Sequence, residues 1–373
     1  MKFQIERKYL LEKLNIVARS ISSFSPLPAL SGICMDVQND KIILTGSDSN
    51  ISIRSTITPG ELNQLIIEST GSIIIDAKYL LEIVRKMDSA SIQFELIDFS
   101  LIRISNESGK FQLNGIQANE YPNIDFSTPM TKIDMKSSDL KDIVNKTAFA
   151  CSDKDTRPVL TGVNFKIKDN TLYCSGTDSY RLARKTVKLD SVHDIDITIP
   201  SKSLIEVIRS LNDDNETLEI NMDSKKAQFI FDKTIIQTRL IDGFFPDVDR
   251  IIPTSFVSTL VVESRKLSSV IDRTNFIRNE KLHLIKLECS SFETRIKTNS
   301  TEIGNSDELL TGCVYTGDDI RLTCNGTFML EAIRALASEK VQLDFSGLMK
   351  PIRISNPDDD STLMIVVPIR SYD

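Results

Sequence analysis

The sequence predicts an α+β fold made of three tandem copies of one domain, each with two helices packed on antiparallel sheets. Two observations predict it. The first is a repeat: LSGICMDVQNDKIILTGSDS at 30–49 returns as LTGVNFKIKDNTLYCSGTDS at 160–179, with Leu30/Leu160, Gly32/Gly162, Gly46/Gly176, Asp48/Asp178 and Ser49/Ser179 in register at an offset of 130. The second is a strand-then-helix pattern that fills the chain with six similar modules. A module of a few strands and one amphipathic helix cannot bury its apolar face alone, so copies at this period stack on one another.

Taken in order, Phe3 to Ile5 reads as a short strand leading into Leu10, Leu14, Val17 and Ala18 at helical spacing. Ile133 to Met135 leads into Leu140, Val144, Thr147 and Ala148 in the same way, and Leu260 to Val262 into Leu267 and Ile271. A second such segment follows in each copy, at 72–87, 196–211 and 321–336, aligned through Leu80, Leu204 and Met329 and through Glu82, Glu206 and Glu331. The predicted helices are therefore 8–19, 77–88, 136–147, 201–211, 265–275 and 326–338. Between them the text alternates like half-buried strands at 91–105, 217–232 and 341–355. The third copy of the opening strand pair is short and degenerate, where 282–296 should run. Gly32 and Gly162 mark either a close approach of neighbouring backbone or a plain turn. Stretches 119–129 and 242–255 carry Pro, Asp and Asn between periodic segments and read as connectors. The expected domains are 1–124, 125–252 and 253–373.

Composition narrows the class. At 373 residues, with 40% hydrophobic and 26% charged residues, this is an ordinary globular chain with room for two or three cores. No apolar run approaches the roughly 18 residues of a membrane helix, and the start MKFQIERKYL has no apolar leader core. The expectation is a cytoplasmic protein that does not enter a membrane. Cys34, Cys151, Cys174, Cys289, Cys313 and Cys324 are scattered, without a Cys-x-x-Cys pair and with only His193 and His283 beside them. They read as buried free thiols, not a zinc site, and no metal or cofactor is expected.

A net charge of -7 and a pI near 5.2 argue at first sight against nucleic acid. Sorted by element, the charge reads differently: the six predicted helices hold fifteen Lys and Arg against eight Asp and Glu, while the remainder of the chain is strongly acidic. Lys and Arg are good helix formers and collect on exposed helix faces for that reason alone, yet Glu forms helices equally well. A positive surface built by helices, with Lys8, Lys13, Arg19, Lys78, Arg85, Lys86, Lys141, Lys146, Lys202, Arg209, Arg273 and Arg334 on it, would draw a polyanion to one face and repel it from the other. Helix faces that touch phosphates without entering a groove carry no base information, so such binding is sequence-independent and weakens with salt.

The triplicated module, with TRPVLTGV at 156–163, SGTDSYRLA at 175–183, DGFFPDVDRIIP at 242–253, NEKLHLIKL at 279–287 and the ending VVPIRSYD, resembles the bacterial DNA sliding clamps, the beta subunits of DNA polymerase III, along the whole chain. The resemblance implies a head-to-tail homodimer closing into a six-domain ring around double-stranded DNA. It implies a non-catalytic processivity factor whose partners are the replicative polymerase alpha subunit, the clamp loader and other proteins with a clamp-binding motif. It further implies a partner-peptide pocket at Leu160, Thr177, Ser179, Tyr180, Arg181, Leu182, Pro246, Arg250, Ile251, Leu282, Phe328, Val366, Val367, Pro368, Ile369 and Arg370. The subunit contact would pair the strand around Phe111 and Leu113 with the helix and turn carrying Phe276 and Ile277, although apolar side chains there could equally be interior.

Two departures bear on these expectations. The loop at 22–28 lacks the basic residue common in relatives, whereas the loop at 151–158 keeps Lys154 and Arg157 and is the better DNA candidate. Val367 and Ile369 stand where relatives often have methionine, which narrows how far the pocket adapts. Two alternatives stay open: a protein-binding scaffold that never encircles DNA, and a Mg-dependent nucleic-acid enzyme built on Asp48, Asp178, Asp318–Asp319 or the 358–360 cluster. Against the enzyme, no phosphate-cradle, metal-pair or nucleophile-elbow motif is present, and a duplicated aspartate at a strand end is more simply a turn cap.

Overall fold

The computed structural model describes residues 1–22, 25, 27–189, 194–212, 216–277 and 282–370. His193 and parts of the 22–28 and 279–287 segments lie outside the described residues. All six predicted helices are present, with ends within two residues of expectation: α1 (Arg7–Ala18), α2 (Ala77–Lys86), α3 (Ser137–Thr147), α4 (Ser201–Ser210), α5 (Ser264–Arg273) and α6 (Gly326–Leu336).

Each helix follows a strand with no intervening loop: Lys2–Glu6, Gly71–Asp76, Thr131–Lys136, Ile195–Pro200, Ser258–Glu263 and Ile320–Asn325 run directly into α1 to α6. A polar residue at the strand end makes the change of conformation possible by capping the free helical N–H groups. Glu6 accepts from Tyr9 N at 2.6 Å, Asp76 from Lys78 N at 3.0 Å and Asn325 from Thr327 N at 2.9 Å.

The chain forms two compact units, residues 1–140 with 202–240 and residues 141–201 with 241–373. The units cut across the copies, because each contains a nine-stranded sheet that runs on from one copy into the next. In the first unit the order is Ile116–Gln117, Gly71–Asp76, Gly32–Val37, Ile42–Ser47, Ile51–Ile57, Thr234–Arg239, Lys226–Phe231, Thr217–Met222, Thr131–Lys136, and the copies join where Ile53 pairs with Ile236. In the second unit the join is Arg181–Lys188 against Asp359–Val366, with Leu182 opposite Ile365. The first unit also holds a five-stranded sheet ending at Lys110–Asn114, and the second a four-stranded sheet ending at Gly304–Leu309.

Helices cover one face of these sheets. Leu10, Leu14 and Val17 of α1 and Leu80 and Val84 of α2 are fully buried, and the two helices touch. Leu267 and Ile271 of α5 meet Met329 and Ile333 of α6 in the larger core of the second unit. The repeated glycines explain the closeness of this packing. A Cβ on Gly46 would lie 2.8 Å from Val17 O, and one on Gly176 only 2.4 Å from Thr147 O, so the last turns of α1 and α3 rest directly on strand backbone. Gly32 and Gly162 are extended and face the carbonyls of Ile75 and Ile199, which decides for close approach over a turn.

The third strand pair, degenerate in the text, is complete in the fold: Leu284–Cys289 and Thr294–Ser300 run antiparallel. All six cysteines are free, four of them buried. Burial pushes the Cys289 and Cys324 thiols up to about 12, which keeps them protonated and inert.

Candidate functional site

The pocket expected from the sequence starts from the repeated turn. Asp178 Oδ1 accepts from Tyr180 N at 2.9 Å and Arg181 N at 3.0 Å, while Thr177 Oγ1 accepts from Ser179 N at 3.2 Å. Ser179 takes φ +80°, a left-handed conformation that these side-chain bonds stabilise. The first copy repeats the geometry: Asp48 Oδ1 accepts from Asn50 N and Ile51 N at 2.9 Å, and Ser49 takes φ +79°. Each of the duplicated aspartates is a turn cap with one carboxylate oxygen taken by two backbone N–H groups, which removes the main support for an enzymatic role.

The turn feeds Arg181, whose side chain is 12% exposed and engaged through all three of its nitrogens. Its Nε donates to Asp178 Oδ2 at 3.0 Å, Nη2 to Phe149 O at 2.6 Å and Nη1 to Glu331 of α6. The guanidinium also lies over the rings of Phe328 at 4.3 Å and Phe149 at 5.4 Å. Beside it, the last segment is stitched in by backbone bonds: Arg181 pairs with Val366, Val367 N donates to Tyr180 O at 3.0 Å, and Ile369 N donates to Thr323 O at 2.8 Å. Thr177, Ser179 to Leu182, Phe328 and Val366 to Ile369 are thus brought together.

The remaining pocket residues divide by exposure. Tyr180, Val367, Ile251 and Leu282 present apolar surface, as a docking cup requires. Leu160, Leu182 and Val366 are buried and line no surface. Leu182 packs with Val248 and Ile365, under Phe245 and Ile252 of the connector. Pro246 and Arg250 are exposed on the same connector, Arg250 paired with Asp247 at 2.8 Å, and Arg370 is exposed at the end of the described chain. Sequence reasoning missed what holds the connector in place. Arg184 Nη1 meets Asp249 Oδ1 at 2.6 Å, a bond that draws the Asp249 carboxyl below its usual range. It missed Glu331 as a site residue too, although the alignment of Glu82, Glu206 and Glu331 was the available signal.

The basic residues expected to face a polyanion behave unequally. In the first unit, Lys78, Arg85 and Lys202 are exposed and have no carboxylate partner among the described residues. Lys86 pairs with Glu82 at 2.5 Å, and Arg19 and Arg209 share Glu206 at 3.2 and 2.9 Å. Lys13 is a correction: it is 2% exposed and its ammonium is bound to Asp232, because it falls on the face of α1 that packs inward between Leu10 and Leu14. In the second unit, Lys154 and Arg157 are exposed on their loop. Lys141 is partly exposed, and Arg273 and Arg334 pair with Glu308 and Asp272 at 2.6 and 3.5 Å. Lys146 is a second correction, since its ammonium lies largely covered against Asp142 at 2.9 Å.

Of the expected contact residues, Phe111 is 43% exposed on the outer strand Lys110–Asn114, with Leu113 partly exposed beside it. Phe276 is exposed in the turn after α5, but Ile277 is 1% exposed and belongs to the interior, since successive residues of that turn point to opposite sides. One edge of the four-stranded sheet in this unit, among the described residues, is Gly304–Leu309, with Ile303 exposed before it and Leu309 exposed at its end. Which strand ends a sheet is set by pairing between distant segments, and sequence reasoning did not mark this one as an edge.

Residues 1–125 match the family model of the DNA polymerase III beta subunit N-terminal domain, 134–247 that of its central domain and 249–370 that of its C-terminal domain. A beta sliding clamp of Bacillus subtilis (strain 168) is 33% identical over 378 residues, covering 100% of both chains. The crystal structure of the DNA polymerase sliding clamp from Bacillus subtilis superposes with a TM-score of 0.95 at 32% identity, covering 100% of both chains. That of the DNA polymerase III beta chain from Streptococcus pneumoniae TIGR4 gives 0.95 at 31% identity, covering 99% of this chain and 100% of the other.

Proposed function

This chain belongs to the DNA polymerase III beta subunit family, the beta sliding clamps, and on that premise we propose that two copies join head to tail into a ring around double-stranded DNA. The protein is a non-catalytic processivity subunit of replication. Its partners are the replicative polymerase alpha subunit, the clamp loader and other proteins that place a short peptide with apolar anchors on the surface around Tyr180, Phe328 and Val367. We place this work in the cytoplasm; among the described residues no helix is long and apolar enough to cross a membrane.

One observation carries the ring. Among the described residues, the five-stranded sheet of the first unit and the four-stranded sheet of the second each end in a strand paired on one side only, with apolar side chains exposed at it, Phe111 at Lys110–Asn114 and Leu309 at Gly304–Leu309. Open apolar edges invite pairing, and a contact between two different edges is heterologous, so copies joined through it form either a closed ring or a filament. Closure after two copies leaves neither edge free.

Inside such a ring the exposed helix and loop cations Lys78, Arg85, Lys202, Lys154 and Arg157 meet phosphates without reading bases. Arg19, Lys86, Lys141, Arg209, Arg273 and Arg334 add positive charge that is partly offset by neighbouring carboxylates. Confinement, not grip, then holds the protein on DNA. Loaded onto nicked circular DNA, it should remain bound in high salt and be lost when the circle is cut. Equal loss from circular and linear forms would leave only electrostatic adhesion, the behaviour of a scaffold that does not encircle DNA.

A further inference from the structure

We propose that Glu331 is a positioning residue of the partner-peptide pocket: by holding Arg181 it keeps the pocket floor flat and free of unpaired positive charge, and so makes the site select an apolar anchor over an acidic one. This rests on the reading of the 177–182 and 366–370 surface as a peptide site.

Arg181 is a largely covered cation on the turn beside that surface, and an unengaged guanidinium there would bind a carboxylate. Each of its three nitrogens instead donates, to Asp178, Glu331 and the Phe149 carbonyl, two of the three acceptors being anionic. Its flat face is turned to the Phe328 ring at 4.3 Å. Asp178 is fixed by the turn it caps, and Phe149 contributes only a carbonyl, so Glu331 is the single charged acceptor that comes from α6. It therefore ties Arg181 to the helix that also carries Phe328.

The other junction between copies supplies an internal control. Glu206 of α4 aligns with Glu331, and it too receives a guanidinium, but from Arg19, at 3.2 Å. The position matching Arg181 at the offset of 130 is Ile51, while the position matching Arg19 is Phe149. The glutamate is thus kept at both junctions while its arginine changes place. Only at the second junction does that arginine lie on the turn that borders the peptide surface.

The test uses the full chain and two synthetic probes, the acetylated hexapeptide Ser-Gly-Ser-Leu-Leu-Phe and the same peptide with Glu for the second Leu, with affinities read by fluorescence anisotropy. Wild type should favour the apolar probe strongly. Glu331→Gln, which removes the charge and keeps the shape, should lower the ratio of affinities by about tenfold, mainly through tighter binding of the acidic probe. Glu331→Asp should keep the ratio near the wild-type value, and Phe328→Ala should weaken both probes while leaving the ratio within about twofold. A Glu331→Gln protein that loses both probes equally would overturn the proposal and leave Glu331 a merely structural residue. Wild type binding neither probe would bring down the peptide-site reading itself, and this inference with it.

Discussion

Gly176→Ala tests the packing on which the pocket turn depends. The added Cβ would stand 2.4 Å from Thr147 O and 3.0 Å from Cys151 Sγ, whereas ordinary contacts begin near 3.4 Å. The end of α3 must therefore retreat by about 1 Å, in an interior too densely packed to absorb it. Neither neighbour can swing aside, because Thr147 is fully buried with its hydroxyl donating to Ile143 O at 2.6 Å, and Cys151 is buried as well. Overpacking against backbone of this kind costs about 2–3 kcal/mol, which for a unit of this size lowers the melting temperature by about 4–12 °C. Gly176 also directly precedes Thr177, so the strand shift should loosen the Asp178 turn and weaken peptide binding. The assay is thermal unfolding by circular dichroism, with Gly60→Ala as the control, since its Cβ would meet nothing closer than 3.7 Å. If Gly176→Ala melts within a degree of Gly60→Ala, the contact between α3 and the strand is not what the glycine serves.

At the proposed subunit contact, Phe111→Ala combined with Leu309→Ala should give the monomer mass of 41.9 kDa in sedimentation. Ile277→Ala, a core truncation, should instead cost about 2–5 kcal/mol of stability, and an intact dimer in the double variant would refute the edge assignment. For Asp125, the backbone N–H of Ser127 first, then its hydroxyl and Lys226, hold the carboxyl down at about 2, below the ordinary 3.8. A depressed carboxylate stabilises the fold above the ordinary value and loses that contribution as pH falls from about 4 towards 2. A carboxyl NMR titration should give a midpoint near 2 that stays low in Lys226→Met, and a wild-type midpoint at the ordinary value would show that these bonds do not form in solution.

The chain order of elements was legible without coordinates, and so was one feature of the site. Helix positions followed from apolar spacing within ten or twelve residues, and at three of the six starts Glu6, Asp76 and Asn325 add a cap bond that also acts over two or three residues. The recurrence of Asp48 and Asp178 was enough to favour a turn cap over catalysis, because an aspartate that caps a turn acts on backbone two and three residues away. Contacts of that range are written in consecutive residues.

What the tertiary structure decided was everything that depends on a partner distant in the chain. The pairing of Ile51–Ile57 with Thr234–Arg239 joins residues about 180 positions apart, and nothing in either strand names the other. The same holds for Lys13, taken for a surface cation until Asp232 claimed it, for Ile277, which turned inward, and for Glu331, which reached Arg181 across 150 positions. A local pattern fixes which way a side chain points from its own axis. Whether water, a carboxylate or another sheet waits there is set by how the elements pack.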